Sequence, residues 1–213
     1  EETLRAIVAG TASVTGADFF PALVENLARC LDVPYVAVTE ANSDRNLQGC
    51  NLAFWRRNHL VQNCAYNLEN TPCYQVLKTG QICCYSQDLK RIFTDHPLFR
   101  DLDAQSYLGI PLLNRDRKVI GILSILDIKP LFQDDYTHAI VNVFATRAAT
   151  ELERKWAEEE KRQAYEALEF RVEERTAELT QANVALETEV QDRIATEATM
   201  KLMADRERAI NQV

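Results

Sequence analysis

Cys83 and Cys84 are adjacent, Cys73 lies ten residues before Cys83, and Cys64 nine residues earlier still. Thiols grouped this way offer a redox switch, a soft-metal site or a nucleophile, and Cys73, Cys83 and Cys84 are the redox candidates. Cys73 has the best case for reactivity. It follows Thr71-Pro72, a sequence that starts helices, and a helix N-terminus lowers the pKa of a thiol. Cys83 and Cys84 fall in a short strand, where neighbours point to opposite faces, so at most one of them reaches a given pocket. The competing reading is core packing, for which cysteine is a common small residue. None of the six cysteines forms a Cys-x-x-Cys pair, which suits reduced thiols better than a disulfide framework.

His59, His96 and His138 are scattered over separate segments. A haem or zinc site needs converging ligands, so neither a metal site nor haem is expected. His138 is followed by Ala139 rather than the acidic residue of a kinase phosphoacceptor helix, and reads as helix surface. Trp55, Tyr66, Tyr85 and Tyr107, with Cys73 and Ser124, form the candidate ligand-binding set. Aromatic side chains in short strands also fill cores, and that alternative stays open.

The elements that must hold these residues are mostly strands. Leu4, Ile7, Val8 and Ala12 predict a short first helix ending near Gly16. Asp18 is a candidate cap for a second helix, with Phe19, Phe20, Leu23, Val24, Leu27 and Leu31 on its buried side and Pro34 as its stop. Residues 35–39 read as a strand, Asn42-Ser43-Asp44 as a turn, and residues 52–55 and 60–66 as further strands. A helix over 73–78, capped by Thr71 and stopped by Gly80, precedes a strand over 81–85. Residues 89–93 and 97–102 read as loop with helical turns. The clearest β signal is a hairpin, residues 106–112 and 119–126 around the polar turn Asn114-Arg115-Asp116-Arg117. This order predicts an α+β domain, an antiparallel sheet with helices on its faces.

All six glycines and six prolines precede Leu131, so the remainder is free to run as one helix from near Gln133. At ~1.5 Å per residue it would reach on the order of 120 Å. Val141, Ala145, Ala148 and Leu152 repeat at 4-3-4 spacing. Tyr165, Leu168, Val172, Arg175, Leu179, Ala182 and Leu186 alternate steps of three and four, a coiled-coil seam. Leu152 to Tyr165 is one residue short of two heptads, and Val190 and Ile194 are offset again, as at stutters. Glu151–Lys155, Glu158–Arg162, Glu189–Arg193 and Glu197–Lys201 are favourable pairs four apart. A helix of this length cannot bury its stripe alone, so a homodimer through the C-terminal helix is expected. The domain reading is a head, 1–132, and a signalling helix, 133–213.

The net charge is −8, and residues 151–213 hold 10 Lys and Arg against 16 Asp and Glu. An acidic helix argues against nucleic acid, which needs clustered basic residues. No run of ~18 apolar residues is present, so no membrane contact by this segment is expected. Glu1-Glu2-Thr3 has no signal-peptide character and no initiator Met, which reads as a cytoplasmic segment of a longer protein.

The paired segments Ser106-Tyr107-Leu108-Gly109-Ile110-Pro111-Leu112 and Val119-Ile120-Gly121-Ile122-Leu123 resemble the paired strands of GAF domains. Phe132-Gln133-Asp134-Asp135 and the helix over 139–149 resemble that family's lead-in to its last helix. Asn70-Thr71-Pro72-Cys73 with Gly80-Gln81-Ile82-Cys83 resembles a subgroup of bacterial GAF sensors. Glu174-Arg175-Thr176-Ala177-Glu178-Leu179, then Asn183, Leu186, Glu189 and Arg193, is similar to helical linkers upstream of PAS or kinase modules. The resemblance implies a dimeric regulatory module of a bacterial sensor histidine kinase or related protein. It departs from the cyclic-nucleotide pattern, since Asp134-Asp135 sit one position early after Phe132. It lacks the Cys-His pair for bilin attachment and the Ala-Cys-Asp-type motif of free-methionine-sulfoxide reductases. The expectation is a non-enzymatic sensor without bilin or haem, binding a small ligand or partner and signalling through its coiled coil. A ligand-free dimerisation segment and a thiol redox enzyme are the alternatives.

Overall fold

The computed structural model describes residues 14–41, 47–61, 65–93, 102–131 and 134–210, with side chains to 204. The expected first helix, the turn at 42–44, Cys64, Pro97 and Phe132 lie outside the described residues. In chain order the elements are α1 (Phe19–Leu31), β1 (Tyr35–Ala41), β2 (Gln48–Arg56), β3 (His59–Val61), β4 (Ala65–Asn67), α2 (Pro72–Thr79), β5 (Cys83–Tyr85), α3 (Leu89–Ile92), β6 (Ser106–Leu113), β7 (Val119–Asp127) and α4 (Asp135–Ile210). The strands form one antiparallel sheet in the order β3-β2-β1-β7-β6-β5, with β4 also paired to β2. This is the α+β arrangement the sequence predicts, with helices on the sheet's faces and a long C-terminal helix.

Local chemistry accounts for the element ends. Thr71 caps α2 by accepting the Tyr74 amide at 3.3 Å, Pro72 occupies its first turn, and Gly80 closes it at φ 64. The left-handed φ there suits glycine, which has no Cβ to clash. Asp18 stands at the N-cap of α1 but makes no side-chain cap bond. Phe19, Phe20, Leu23, Val24 and Leu27 are buried as their spacing predicts; Ala28 joins them, and Leu31 is half-buried. The single strand expected over 60–66 is two short ones, β3 and β4, the strand over 81–85 shrinks to β5, and residues 89–92 make one helical turn.

The sheet separates two apolar layers. One holds Val36, Val38, Leu108, Ile110, Leu123 and Ile125 under α1 and the first turns of α4. The other holds Ala37, Phe54, Tyr107, Ile122 and Leu126 under α2 and α3. Val141, Ala145, Ala148 and Leu152 are all core, so the compact unit carrying the sheet reaches from Glu1 to Ala157.

Polar ties fasten α4 within that unit, among them a bond from the Arg115 amide to Glu153 at 3.1 Å. Glu40 of β1 accepts the Trp156 indole N–H at 2.8 Å and Lys155 Nζ at 2.8 Å. Lys155 thus bonds the sheet rather than its helical neighbour Glu151. Glu151 accepts the Gly16 amide at 2.9 Å and two bonds from Arg154. Arg154 first, with the Gly16 amide helping, holds the Glu151 carboxyl below the usual glutamate range despite its burial.

The second unit, Glu158–Val213, is helical from Glu158 to Ile210. Its Tyr165, Leu168, Val172, Leu179 and Leu186 are exposed in the single chain, as is Ala182. Arg162 bonds Glu159 and Glu166, and Arg193 bonds Glu189 as expected. Arg175 is paired with Glu178 at 2.7 Å.

Candidate functional site

A cavity of about 40 Å³ lies between the sheet and α2. Its apolar wall is Ala37, Phe54, Leu102 and Leu126; its polar wall is Asn51, Tyr66, Cys73, Tyr107 and Ser124. Alternation on three adjacent strands supplies most of it. Ala37 of β1, Ser124 of β7 and Tyr107 of β6 point to the α2 side, while their odd-phase neighbours go to the other layer. Ion pairs from Asp103 to Arg57 (2.7 Å) and Lys90 (3.2 Å) hold the segment bearing Leu102.

A β-bulge decides β2's share. Val38 pairs with Ala53 but Thr39 pairs with Asn51, leaving Leu52 as the extra residue. Regular alternation would put Asn51 and Trp55 on one face. Instead Asn51 and Phe54 face the cavity, while Leu52, Ala53 and Trp55 pack in the opposite layer. Trp55, an expected ligand-binding residue, is therefore a core side chain of the layer that α1 covers.

The hydroxyls and the thiol form one network. Thr39 donates to Asn51 Oδ1 at 2.8 Å and lies 3.1 Å from the Tyr66 hydroxyl. Tyr107 donates to Cys73 Sγ at 3.3 Å, and Ser124 Oγ is 3.6 Å from that sulfur and 3.4 Å from Tyr107 Oη. Tyr66 Oη reaches the same sulfur at 4.0 Å. One proton each on Cys73, Ser124 and Tyr107 closes a three-membered ring of bonds, so the trio is satisfied internally. Burial, then Cys73, pushes the Tyr107 phenol well above the ordinary tyrosine range and keeps it a neutral donor. Gly109 makes this placement possible, because a Cβ there would come within 2.7 Å of Tyr107 Cε1 and Cζ.

Of the six candidates, the fold brings Tyr66, Cys73, Tyr107 and Ser124 together. Tyr85 stands just behind, edge-on to Phe93 at 5.2 Å and 6.4 Å from the Tyr107 ring. The redox candidates part company. Cys83 packs on the cavity side and Cys84 in the other layer, as adjacent strand residues must. Burial pushes the Cys83 thiol up, which favours the protonated, poorly nucleophilic form. Cys73, at a helix start as expected, is buried among hydroxyls. The described cysteines 30, 50, 73, 83 and 84 are free thiols. Sequence reasoning missed Thr39 and Asn51; the signal available was two polar residues inside strands otherwise rich in apolar ones.

Among the described residues, no three His, Cys, Asp or Glu side chains cluster to hold a metal ion. No helix among them is long and apolar enough to cross a membrane.

The fold is shared with solved bacterial structures. The GAF domain of an Acinetobacter phosphoenolpyruvate-protein phosphotransferase is 20% identical with a TM-score of 0.58, over 73% of this chain and 94% of that one. Free methionine-R-sulfoxide reductase from Neisseria meningitidis, solved with its substrate, is 20% identical at TM-score 0.52, over 76% and 90%. The R. palustris bacteriophytochrome RpBphP3 is 10% identical at TM-score 0.54, over 71% of this chain and 36% of that one. At such identities these likenesses speak for the fold. No curated protein sequence matches the chain significantly. The GAF domain family model, however, matches residues 1–152, most of the chain. With its antiparallel sheet, its cavity under α2 and its closing helix, this chain belongs to the GAF domain family.

Proposed function

We propose that the chain is a non-enzymatic sensory module of a cytoplasmic bacterial signalling protein, a sensor histidine kinase being the leading context. A small molecule binds in the cavity under α2, and α4 carries the response to an output domain. The exposed seam of α4, through Leu168, Val172, Leu179, Ala182 and Leu186, pairs with a second copy as a parallel coiled coil.

One observation carries this reading. Consecutive residues of the central strand serve the two ends of the path: Thr39 belongs to the cavity network, and Glu40, on the other face, holds Trp156 and Lys155 of α4. A ligand that competes for the Thr39 hydroxyl shifts β1, and a shift of β1 acts on the helix through Glu40. Packed elements of this kind settle in discrete arrangements, which is what a switch requires.

The test uses Trp156 as reporter in a W55F background, which leaves a single indole. T39V, which removes the hydroxyl and keeps the strand, should change Trp156 emission, and light scattering should give a dimer that L179D/L186D reduces to a monomer. Unchanged emission would reject the path, and a monomeric full chain would reject the coiled coil. A dimer without the path leaves a dimerisation scaffold.

A further inference from the structure

Asn51 is 3% exposed and its side chain lines the cavity. Its carbonyl end is taken by the Thr39 hydroxyl, while its amide nitrogen has no partner among the described residues. No fully buried side-chain N or O among them lacks a partner. The Asn51 amide nitrogen therefore meets open space, and the space its side chain lines is the cavity. A donor held in such a wall is costly unless something accepts from it.

The rest of the wall narrows what that acceptor is. None of the described lining residues is Lys, Arg, His, Asp or Glu. A charged ligand would shed its hydration without gaining a counter-charge, a penalty far above that of a neutral polar group. The hydroxyls of Tyr66, Ser124 and Tyr107 keep lone pairs that accept from a ligand N–H or O–H. Size is limited as well. At about 40 Å³ the cavity is far smaller than the ~150 Å³ cavity that admits benzene.

We infer that the cavity takes the carbonyl end of an uncharged compound, an amide being the best match, whose oxygen accepts from Asn51 and whose N–H groups donate to the surrounding hydroxyls. The rest of the ligand lies outside the ~40 Å³ space. Asn51 is the specificity-determining residue. The inference rests on the sensory reading above and adds the class of ligand and its anchor.

The test is NMR of the full chain titrated with acetamide, with acetate as a same-sized anion and with xenon as an apolar probe of the cavity. Four non-hydrogen atoms bind no tighter than about 40 μM, so titration extends to ~100 mM. Acetamide should shift the Asn51 side-chain NH₂ and Ser124 signals saturably, and acetate should be at least ~10-fold weaker, a conservative floor for an unpaired charge. N51L and N51A, which both remove the donor, should each weaken acetamide by a similar factor; the smaller N51A serves should N51L fail to fold. Equal binding of acetate, or acetamide binding unaltered in these variants, overturns the inference. Xenon shifts without acetamide shifts would sink the ligand class and leave the cavity reading standing. Silence from both probes would sink the cavity reading too.

Discussion

Removing the Glu40 carboxylate should loosen α4 from the sheet by a calculable amount. Its bond to the Trp156 indole is charge-assisted, and the Glu40 side chain is 15% exposed, so about 1.5–3 kcal/mol is expected for it. The Lys155 partner is 48% exposed, and such a pair adds about 0–1 kcal/mol. E40A should therefore cost about 1.5–4 kcal/mol, part of it from stranding the indole N–H. At ~2–4 °C per kcal/mol for a chain of this size, the midpoint falls by about 3–16 °C. W156F removes the same bond from the other side, so in the double variant the losses overlap, with a coupling of about 1–2 kcal/mol. Urea unfolding followed by Trp55 emission reports all four proteins, because Trp55 lies in the same apolar layer and is left untouched. In 1 M salt, where the screening length is ~3 Å, the Lys155 share should shrink and the indole share persist. Additive losses, with coupling below ~0.5 kcal/mol, would refute the claim that Glu40 and Trp156 act as a unit.

Three further outcomes are expected. G109A should cost about 1–3 kcal/mol by driving its Cβ into the Tyr107 ring, and the cost should largely vanish in a Y107L background; thermal melts of the four proteins decide it. Glu151 has a depressed carboxyl pKa when folded, so its stabilising contribution is complete above the ordinary glutamate value of about 4.3 and fades as pH falls through the folded value. The stability gap between wild type and E151Q should accordingly be widest near neutrality and close in acid, as denaturant midpoints measured from pH 7 to 3 would show. With an output domain fused after α4, deleting residues 172–178 should keep output regulated, while deleting 172–175 turns the downstream helix by roughly 40° and should lock it. Equal behaviour of the two deletions would reduce the helix to a tether.

The elements written in local patterns are legible in the amino-acid sequence itself. Thr71-Pro72 and Gly80 bracket α2 because a cap, a fixed φ and a left-handed φ are properties of single residues. The β6–β7 hairpin shows itself through two apolar runs around a polar turn, and the 4-3-4 spacing from Val141 to Leu152 marks the face of α4 that is core. Four of the six ligand-site candidates meet at one cavity, because alternation along β6 and β7 already assigns Tyr107 and Ser124 to one side. Alternation misleads at β2. A single extra residue, Leu52, reverses the phase, burying Trp55 in the opposite layer and turning Asn51 to the cavity, and a bulge is defined by the partner strand rather than by its own residues. The ties from Glu40 to Trp156 and from Gly16 to Glu151 span 116 and 135 residues of sequence. Each depends on where the sheet sets α4 down, and no spacing within the chain encodes that distance; burial of the helix against β1 and β7 creates it.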